Sequence, residues 1–425
     1  MHKFGFLLVF LPLLGFGQVE QGRKTVEKLC SPAFHGRGYV NGGDSIAASF
    51  IAGEFEKMGC KFFNNSPFQP FQFKVNRFAN NMSVSVNGKE LVPGKEFVVD
   101  PSCPMVYKDS LKIYRVTTED LFNGKNLKNK ISKGSTSKGG VGFAFQFGLW
   151  KGDTLKKAQE VAKGLESAVP VIELLDTKFT WSVSQEQSRL PLIQVQSSAI
   201  DASMDEWWFK LKIDAKLINH TARNVIAYVP AKKKSKNYFV FSAHYDHLGQ
   251  MGQDAYFPGG NDNASGTALL LEMARYYVSN PGEVNIVFMA FAGEEAGLLG
   301  SKYYTENPIF PLKEIQFLFN LDIMGSGEEG VTVVNATLFP EQFEMLKSIN
   351  DKQQLLPKVA SRGAAANSDH YFFTQKGVPA FFMYTMGPNK HYHDVYDTYE
   401  ELSFNKFNMI YQLLIDFEKV VCWKR

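Results

Sequence analysis

Residues 284–291, Val-Asn-Ile-Val-Phe-Met-Ala-Phe, are apolar almost without a break and run into Ala292-Gly293-Glu294-Glu295. A run of this kind predicts a strand buried on both faces, as inside a parallel sheet. From residue 222 onward such runs alternate with segments of helical spacing. Strands are predicted over 225–229, 238–243, 316–321 and 378–384, and a helix over 265–277. Residues 407–421 form a closing amphipathic helix, with Phe407, Ile410, Tyr411, Leu414, Phe417 and Val421 on one face. This alternation predicts an α/β fold: a mixed, mainly parallel central sheet with helices on both faces.

The first half has a different texture. Residues 21–29 read as a short helix. Asp44 is placed to cap a helix that runs to Met58, with Ile46, Phe50, Ile51, Phe55 and Met58 near one face and Gly59 as its stop. Residues 81–99 alternate as a hairpin about Asn87-Gly88, a type I′ turn pair. Between 87 and 212, short strand-like runs at 111–116, 140–145, 169–174 and 190–195 and one helix at 154–164 replace the α/β rhythm. This stretch is read as an inserted β-rich module with its titratable residues on the surface and no catalytic spacing. Trp207 and Trp208, near its exit, are read as core or seam residues in preference to a substrate platform. The expected organisation is residues 18–86 as the amino-terminal part of a catalytic domain, 87–212 as the insert and 213–425 as the rest of that domain.

Composition narrows the picture. At 425 residues, 44% hydrophobic and 21% charged, the chain is of ordinary globular character and long enough for two domains or one with an insertion. A formal charge of +3 is too small to point to nucleic acid. Residues 1–17 combine a short basic start, an apolar run too short to span a bilayer, and Gly15-Phe16-Gly17 ahead of Gln18. This is the pattern of a secretory signal peptide, and it predicts export to a periplasmic or extracellular location. No later segment is long and apolar enough to predict a membrane span. Cys30, Cys60, Cys103 and Cys422 are widely spaced, which leaves buried thiols and one or two disulfides both open.

The chemistry is concentrated at strand ends. Two adjacent carboxylates after a buried strand suggest a metal site or an acid/base pair, with a solvated turn as the plain alternative. Other metal-capable groups fall at equivalent places. His244, Asp246 and His247 follow the 238–243 strand. Asp262 precedes the 265–277 helix, Asp322 ends the 316–321 strand, and His391 and His393 follow the 378–384 strand. In a mainly parallel sheet these ends share one edge, so the groups can converge. Two imidazoles and several carboxylates without thiolates suit zinc or a similar divalent ion. The carboxylates outnumber the needs of one structural ion, and a pair bridged by one of them uses the set economically. Two ions roughly 3.5–4 Å apart would share an attacking hydroxide and stabilise the oxyanion, with one uncoordinated carboxylate moving the proton.

The runs His-Tyr-Asp-His, Asn-Asp-Asn-Ala-Ser-Gly, Phe-Ala-Gly-Glu-Glu-Ala-Gly-Leu-Leu-Gly-Ser, Asn-Leu-Asp-Ile-Met-Gly, Ser-Asp-His-Tyr-Phe-Phe and His-Asp-Val-Tyr-Asp-Thr resemble the di-zinc aminopeptidase family in order and spacing from about residue 223 to 402. That family includes bacterial leucyl aminopeptidases and glutamate carboxypeptidases. His35-Gly36-Arg37-Gly38 through Gly59 also resembles its amino-terminal piece. The resemblance implies two zinc ions. His244 and Asp322 would hold one, Glu295 and His393 the other, and Asp262 would bridge them. It implies Glu294 as general acid/base, Asp246 as the residue orienting His244, and a cis peptide after Asp262. Tyr392 is either an oxyanion donor or a packing residue of its loop. His247 and His391 are read as neighbours of ligands, and Asp369-His370 and Asp397-Thr398 as loop scaffolding. His35 and His220 are read as structural or exposed. The insert resembles a protease-associated domain through residues 140–145 and 190–193. The function implied is an exported zinc exopeptidase acting on amino-terminal peptide bonds. The alternatives are a glutaminyl cyclase, a carboxypeptidase or dipeptidase of the same family, and an inactive binding protein of shared architecture.

Overall fold

A computed structural model describes residues 14–134, 139–201 and 203–423. The signal peptide expected at residues 1–17 lies mainly outside them, in residues 1–13; the described chain begins in a helix, Leu14–Leu29.

The larger core is an eight-stranded sheet. Its spatial order is Phe68–Arg77, Lys216–Val229, Asn285–Phe291, Tyr238–His244, Ile315–Leu321, Ala380–Met386, Gly330–Val334 and Val359–Ser361. The four central strands, Asn285–Phe291 through Ala380–Met386, run parallel. The pairings that flank them on both sides are antiparallel. The expected mixed α/β sheet is therefore present, with four parallel strands at its centre and one further parallel pair, Gly330–Val334 with Val359–Ser361, at one edge.

Every residue of Asn285–Phe291 is buried, and the strand feeds two layers. Ile286, Phe288 and Ala290 pack with the helices Leu14–Leu29, Gly43–Met58, Gly266–Ser279 and Phe407–Trp423. Val287, Met289 and Phe291 pack on the opposite face with Tyr304 and Phe373, from the helices Leu299–Glu306 and His370–Gln375. A strand with apolar residues at both parities is what a helix layer on each face requires. The apolar face expected for the last helix is buried in the first of these layers.

The helix Gly43–Met58 ends at Gly59 in the left-handed conformation, as expected. Its start differs. Gly42 is the cap residue and Asp44 lies inside the first turn. The Asp44 carboxylate is buried and engaged elsewhere, 2.7 Å from His220 Nε2. A side chain committed to that long-range partner is not available to the amides of its own helix.

A second eight-stranded sheet is built from strands between Ser83 and Ile213. The hairpin about Asn87-Gly88 is present at its edge, with both residues at positive φ. In Glu206–Ile213 burial alternates strictly, so Trp207 is interior while its neighbour Trp208 is exposed. No disulfide joins Cys30, Cys60, Cys103 and Cys422, and all four are buried. Burial pushes the first three thiols up to about 12, so they pack as small apolar groups. Among the described residues, no helix is long and apolar enough to cross a membrane.

Candidate metal centre

The carboxyl ends of the parallel strands meet at one edge, and the sequence-predicted ligands meet there with them. His244 is the last residue of Tyr238–His244, Glu294 and Glu295 follow Asn285–Phe291, and Asp322 follows Ile315–Leu321. Asp262 lies in the turn before Gly266–Ser279, and the Asp262–Asn263 peptide is cis.

The two oxygens of Asp262 face different partners. Oδ1 is 3.2 Å from His244 Nε2, which is itself 3.3 Å from Asp322 Oδ1. Oδ2 is 3.1 Å from His393 Nε2, which is also 3.1 Å from Glu295 Oε2. Donor atoms bonded at 2.0–2.1 Å to a tetrahedral ion stand about 3.3 Å apart, so these spacings suit zinc. Each imidazole also turns its other nitrogen to a main-chain oxygen. His244 Nδ1 lies 3.2 Å from the Asp246 carbonyl and His393 Nδ1 lies 2.8 Å from that of Trp181. A carbonyl behind Nδ1 leaves Nε2 as the lone-pair donor, the arrangement a metal-binding histidine needs. The residues present therefore fit zinc, in two donor groups that share Asp262.

Neighbouring glutamates are driven apart in acidity. Burial raises the Glu294 carboxyl well above its usual range; His244 opposes this, while Glu295, Asp322 and Asp369 add to it. Burial acts on Glu295 as well, but the His393 charge and hydrogen bonds from His247 and His393 outweigh it and bring it down to about 2. Two carboxyls pushed in opposite directions are suited to different tasks, one holding a cation and one moving a proton.

Other groups hold these in place. Asp246 is fully buried and burial pushes its carboxyl up to about 6, against the pull of His244 and the Tyr39 bond. Its carboxylate accepts the amides of Glu294 and Glu295, both at 3.3 Å, and the Tyr39 hydroxyl at 2.5 Å. The carboxylate is 3.9 Å from His244 Nδ1, so the imidazole is met by the Asp246 carbonyl while the side chain fixes the Glu294-Glu295 turn. Asp397 accepts the amides of Asn261 and Asp262. Ser368 Oγ donates to Asp322 Oδ2 at 2.9 Å. His247 is buried with Nδ1 2.7 Å from Glu295 Oε1, close enough to Glu295 and Asp262 to share an ion with them. His391 stands outside, 3.5 Å from Asp394. Tyr392 stacks on His393 with ring centroids 4.0 Å apart and lines the cleft. Partial loss of solvation at the cleft wall and then the surrounding carboxylates raise its phenol, which keeps the proton it would donate.

Three supports were not found from sequence. Arg37 is fully buried and donates to the carbonyls of Tyr245, Leu29, Pro258, Gly259 and Asp262. It sits in the noted His-Gly-Arg-Gly run, so a signal existed. Trp181 and Lys178 belong to the second sheet's segment, where titratable residues were expected to be plain surface. Lys178 Nζ instead reaches the carbonyls of Lys390 and Tyr392 and, at 2.9 Å, the Asp394 carboxylate. Together they fix the loop that carries His393, and no local pattern announces such a contact.

Gly266 follows from the same crowding. A Cβ there would collide with the Asn263 side-chain oxygen and the Leu321 carbonyl, which explains why Asn-Ala-Ser ends in glycine.

Comparison with known proteins agrees with this geometry. Peptidase family M28 matches residues 224–417. Aminopeptidase YwaD of Bacillus subtilis is 30% identical over 226 residues, covering 52% of this chain and 46% of that protein. A probable leucine aminopeptidase of Trichophyton verrucosum is 29% identical over 197 residues, 43% of this chain and 52% of that one. The chain thus spans about half the length of these curated relatives. Among solved structures, a zinc aminopeptidase of Bacillus subtilis shares the fold at a TM-score of 0.67 and 20% identity, covering 94% of each chain. A peptidase M28 precursor of Shewanella amazonensis does so at 0.65 and 16%, covering 96% of each. The parallel strands and the cluster at their ends thus lie within residues 224–417, the part of the chain that is similar to peptidase family M28.

Proposed function

We propose that the chain is a two-zinc aminopeptidase that acts outside the cytosol. The observation that carries this reading is the split of Asp262, one carboxylate oxygen toward His244 and Asp322 and the other toward His393 and Glu295. Export rests on residues 1–17, and the β-rich segment between 87 and 212 is read as an inserted, protease-associated-like module that braces the active-site edge.

When held by these five side chains, zinc would supply Lewis-acid polarisation of the scissile carbonyl and acidify water. The protein's own groups do the rest. Glu294, raised by burial and left out of the two donor groups, takes a proton from the attacking water. It then delivers that proton to the nitrogen of the departing amine as the C–N bond breaks, leaving a carboxylate and a free amine. Tyr392 donates its phenolic hydrogen to the carbonyl oxygen as negative charge grows there. Asp246 keeps Glu294 and Glu295 in register through their amides.

The test pairs metal analysis with a peptide panel. The wild type should carry about two zinc ions and Asp262→Asn should weaken both; two ions still bound in the variant would remove the bridging role. Mass spectrometry should show release of the first residue from peptides with free amino ends and none from amino-blocked ones. Pyroglutamyl products or carboxyl-terminal release would instead assign one of the alternative activities.

A further inference from the structure

The cleft above the ligand cluster has a volume of about 300 Å³, the small end of ligand pockets. His244, Asp262, Glu294 and Asp322 of the candidate metal centre line it. Phe382, Tyr384 and Tyr392 line it too, beside Ile323 and Asn367, and with them one arginine, Arg362, whose side chain is exposed to solvent. An aromatic wall alone would suit an apolar first residue. A guanidinium set into that wall does not.

Arg362 is built into position. Its backbone amide donates to the Val333 carbonyl at 2.9 Å, which anchors it beside the strand Gly330–Val334. Its Nη1 donates to the Tyr384 hydroxyl at 3.1 Å, and its guanidinium carbon lies 5.9 Å from the centre of the Tyr384 ring. Tyr384 pairs with Thr332 on that same strand, so base and brace share one rigid support. A guanidinium carries five N–H donors, and Tyr384 occupies one. Among the described residues no carboxylate pairs with Arg362, although Asp262, Glu294 and Asp322 line the same cleft. A planar, braced cation with spare donors matches a carboxylate's two oxygens.

Resting on the aminopeptidase reading, we propose that Arg362 is a specificity residue that binds a carboxylate of the substrate within one residue of the scissile bond. Two sources offer that group: the side chain of an acidic first residue, and the free terminal carboxylate of a dipeptide. Substrates that begin with lysine or arginine are disfavoured by like charge.

The experiment uses zinc-loaded protein and four substrates: a glutamyl peptide amide, its glutaminyl counterpart, a leucyl-glycine dipeptide and its amide. In the wild type one carboxylate-bearing member should exceed its neutral partner in kcat/KM by about 10–100-fold, the worth of a hydrogen-bonded charge. The glutamyl pair reports a side-chain carboxylate, and the dipeptide pair a terminal one. Arg362→Gln should abolish that ratio mainly through KM and leave the neutral amides near wild-type rate, while Arg362→Lys should restore it in part. No discrimination in the wild type, or an equal loss on all four in Arg362→Gln, would overturn the proposal and make the arginine a brace for Tyr384. If none of the four is cleaved, the aminopeptidase reading fails separately. Calorimetric binding of the same uncleaved pairs then decides the subsite, since carboxylate-dependent affinity lost in Arg362→Gln upholds it and equal affinities refute it.

Discussion

Trp181 and His393 are joined by two contacts: the Trp181 amide donates to the His393 carbonyl at 2.9 Å, and the Trp181 carbonyl faces His393 Nδ1 at 2.8 Å. One of the five proposed ligands is thus oriented by a segment outside the larger sheet. The Trp181 ring is fixed in turn, its Nε1 donating to the Val99 carbonyl at 2.7 Å and its face stacked on Phe257 at 4.7 Å. Trp181→Ala should loosen that segment and weaken the ion held by His393 and Glu295 by about 10–100-fold, as loss of a ligand's supporting partner commonly does. Chelator competition measures it, and one ion should leave well before the other. Loss of both ions together would show that the two donor groups do not depend on separate supports.

Glu294→Gln keeps the shape of the turn and removes the exchangeable proton. Metal content should remain at the wild-type level while kcat falls by about 10²–10⁴-fold. A near-normal rate would return the proton-transfer role to another group.

Arg37 holds five main-chain carbonyls around the loop that presents Asp262. Arg37→Met would leave buried acceptors unpaired at about 1–3 kcal/mol each, so the melting temperature should drop sharply and zinc affinity with it. Arg37→Lys should rescue little, because an ammonium cannot span acceptors laid out for a planar fork. Thermal melts with and without zinc separate the two effects.

Glu418, on the last helix, is buried, with Tyr277 donating to it at 3.0 Å. Burial raises its carboxyl, and bonds from Tyr277 and Cys422 only partly offset that. A raised folded-state value means its stability contribution is full below the ordinary glutamate range, about 4.3. That contribution is lost as pH climbs through the raised value. Glu418→Gln should therefore melt higher than wild type at about pH 8, with the difference shrinking toward about pH 4. A pH-independent difference would place the effect in packing.

The sheet was legible where burial is complete. Asn285–Phe291, Tyr238–His244, Ile315–Leu321 and Ala380–Met386 are apolar at nearly every position, and such runs have few other ways to be buried. The strand Phe68–Arg77 was missed because it lies at the sheet's edge, with mixed exposure and a proline at position 70. The strand Val359–Ser361 has three residues, too few to show a period. Asp44 misled because a carboxylate before an apolar helix is a good cap unless a distant partner claims it, as His220 does.

By itself the sequence determined the parallel core, the burial of its helices and the arrival of His244, Asp262, Glu294, Glu295, Asp322 and His393 at one edge. Apolar periodicity is local, and in parallel strands every carboxyl end points the same way. Only the tertiary structure decided which carboxylate faces which imidazole, that the Asp246 side chain secures the Glu294-Glu295 turn, and that Trp181, Lys178 and Arg37 hold the loops. It also decided that Arg362 stands in the cleft wall. Those relations join residues up to hundreds of positions apart through single hydrogen bonds, and a contact of that kind leaves no period, spacing or composition in the chain that makes it.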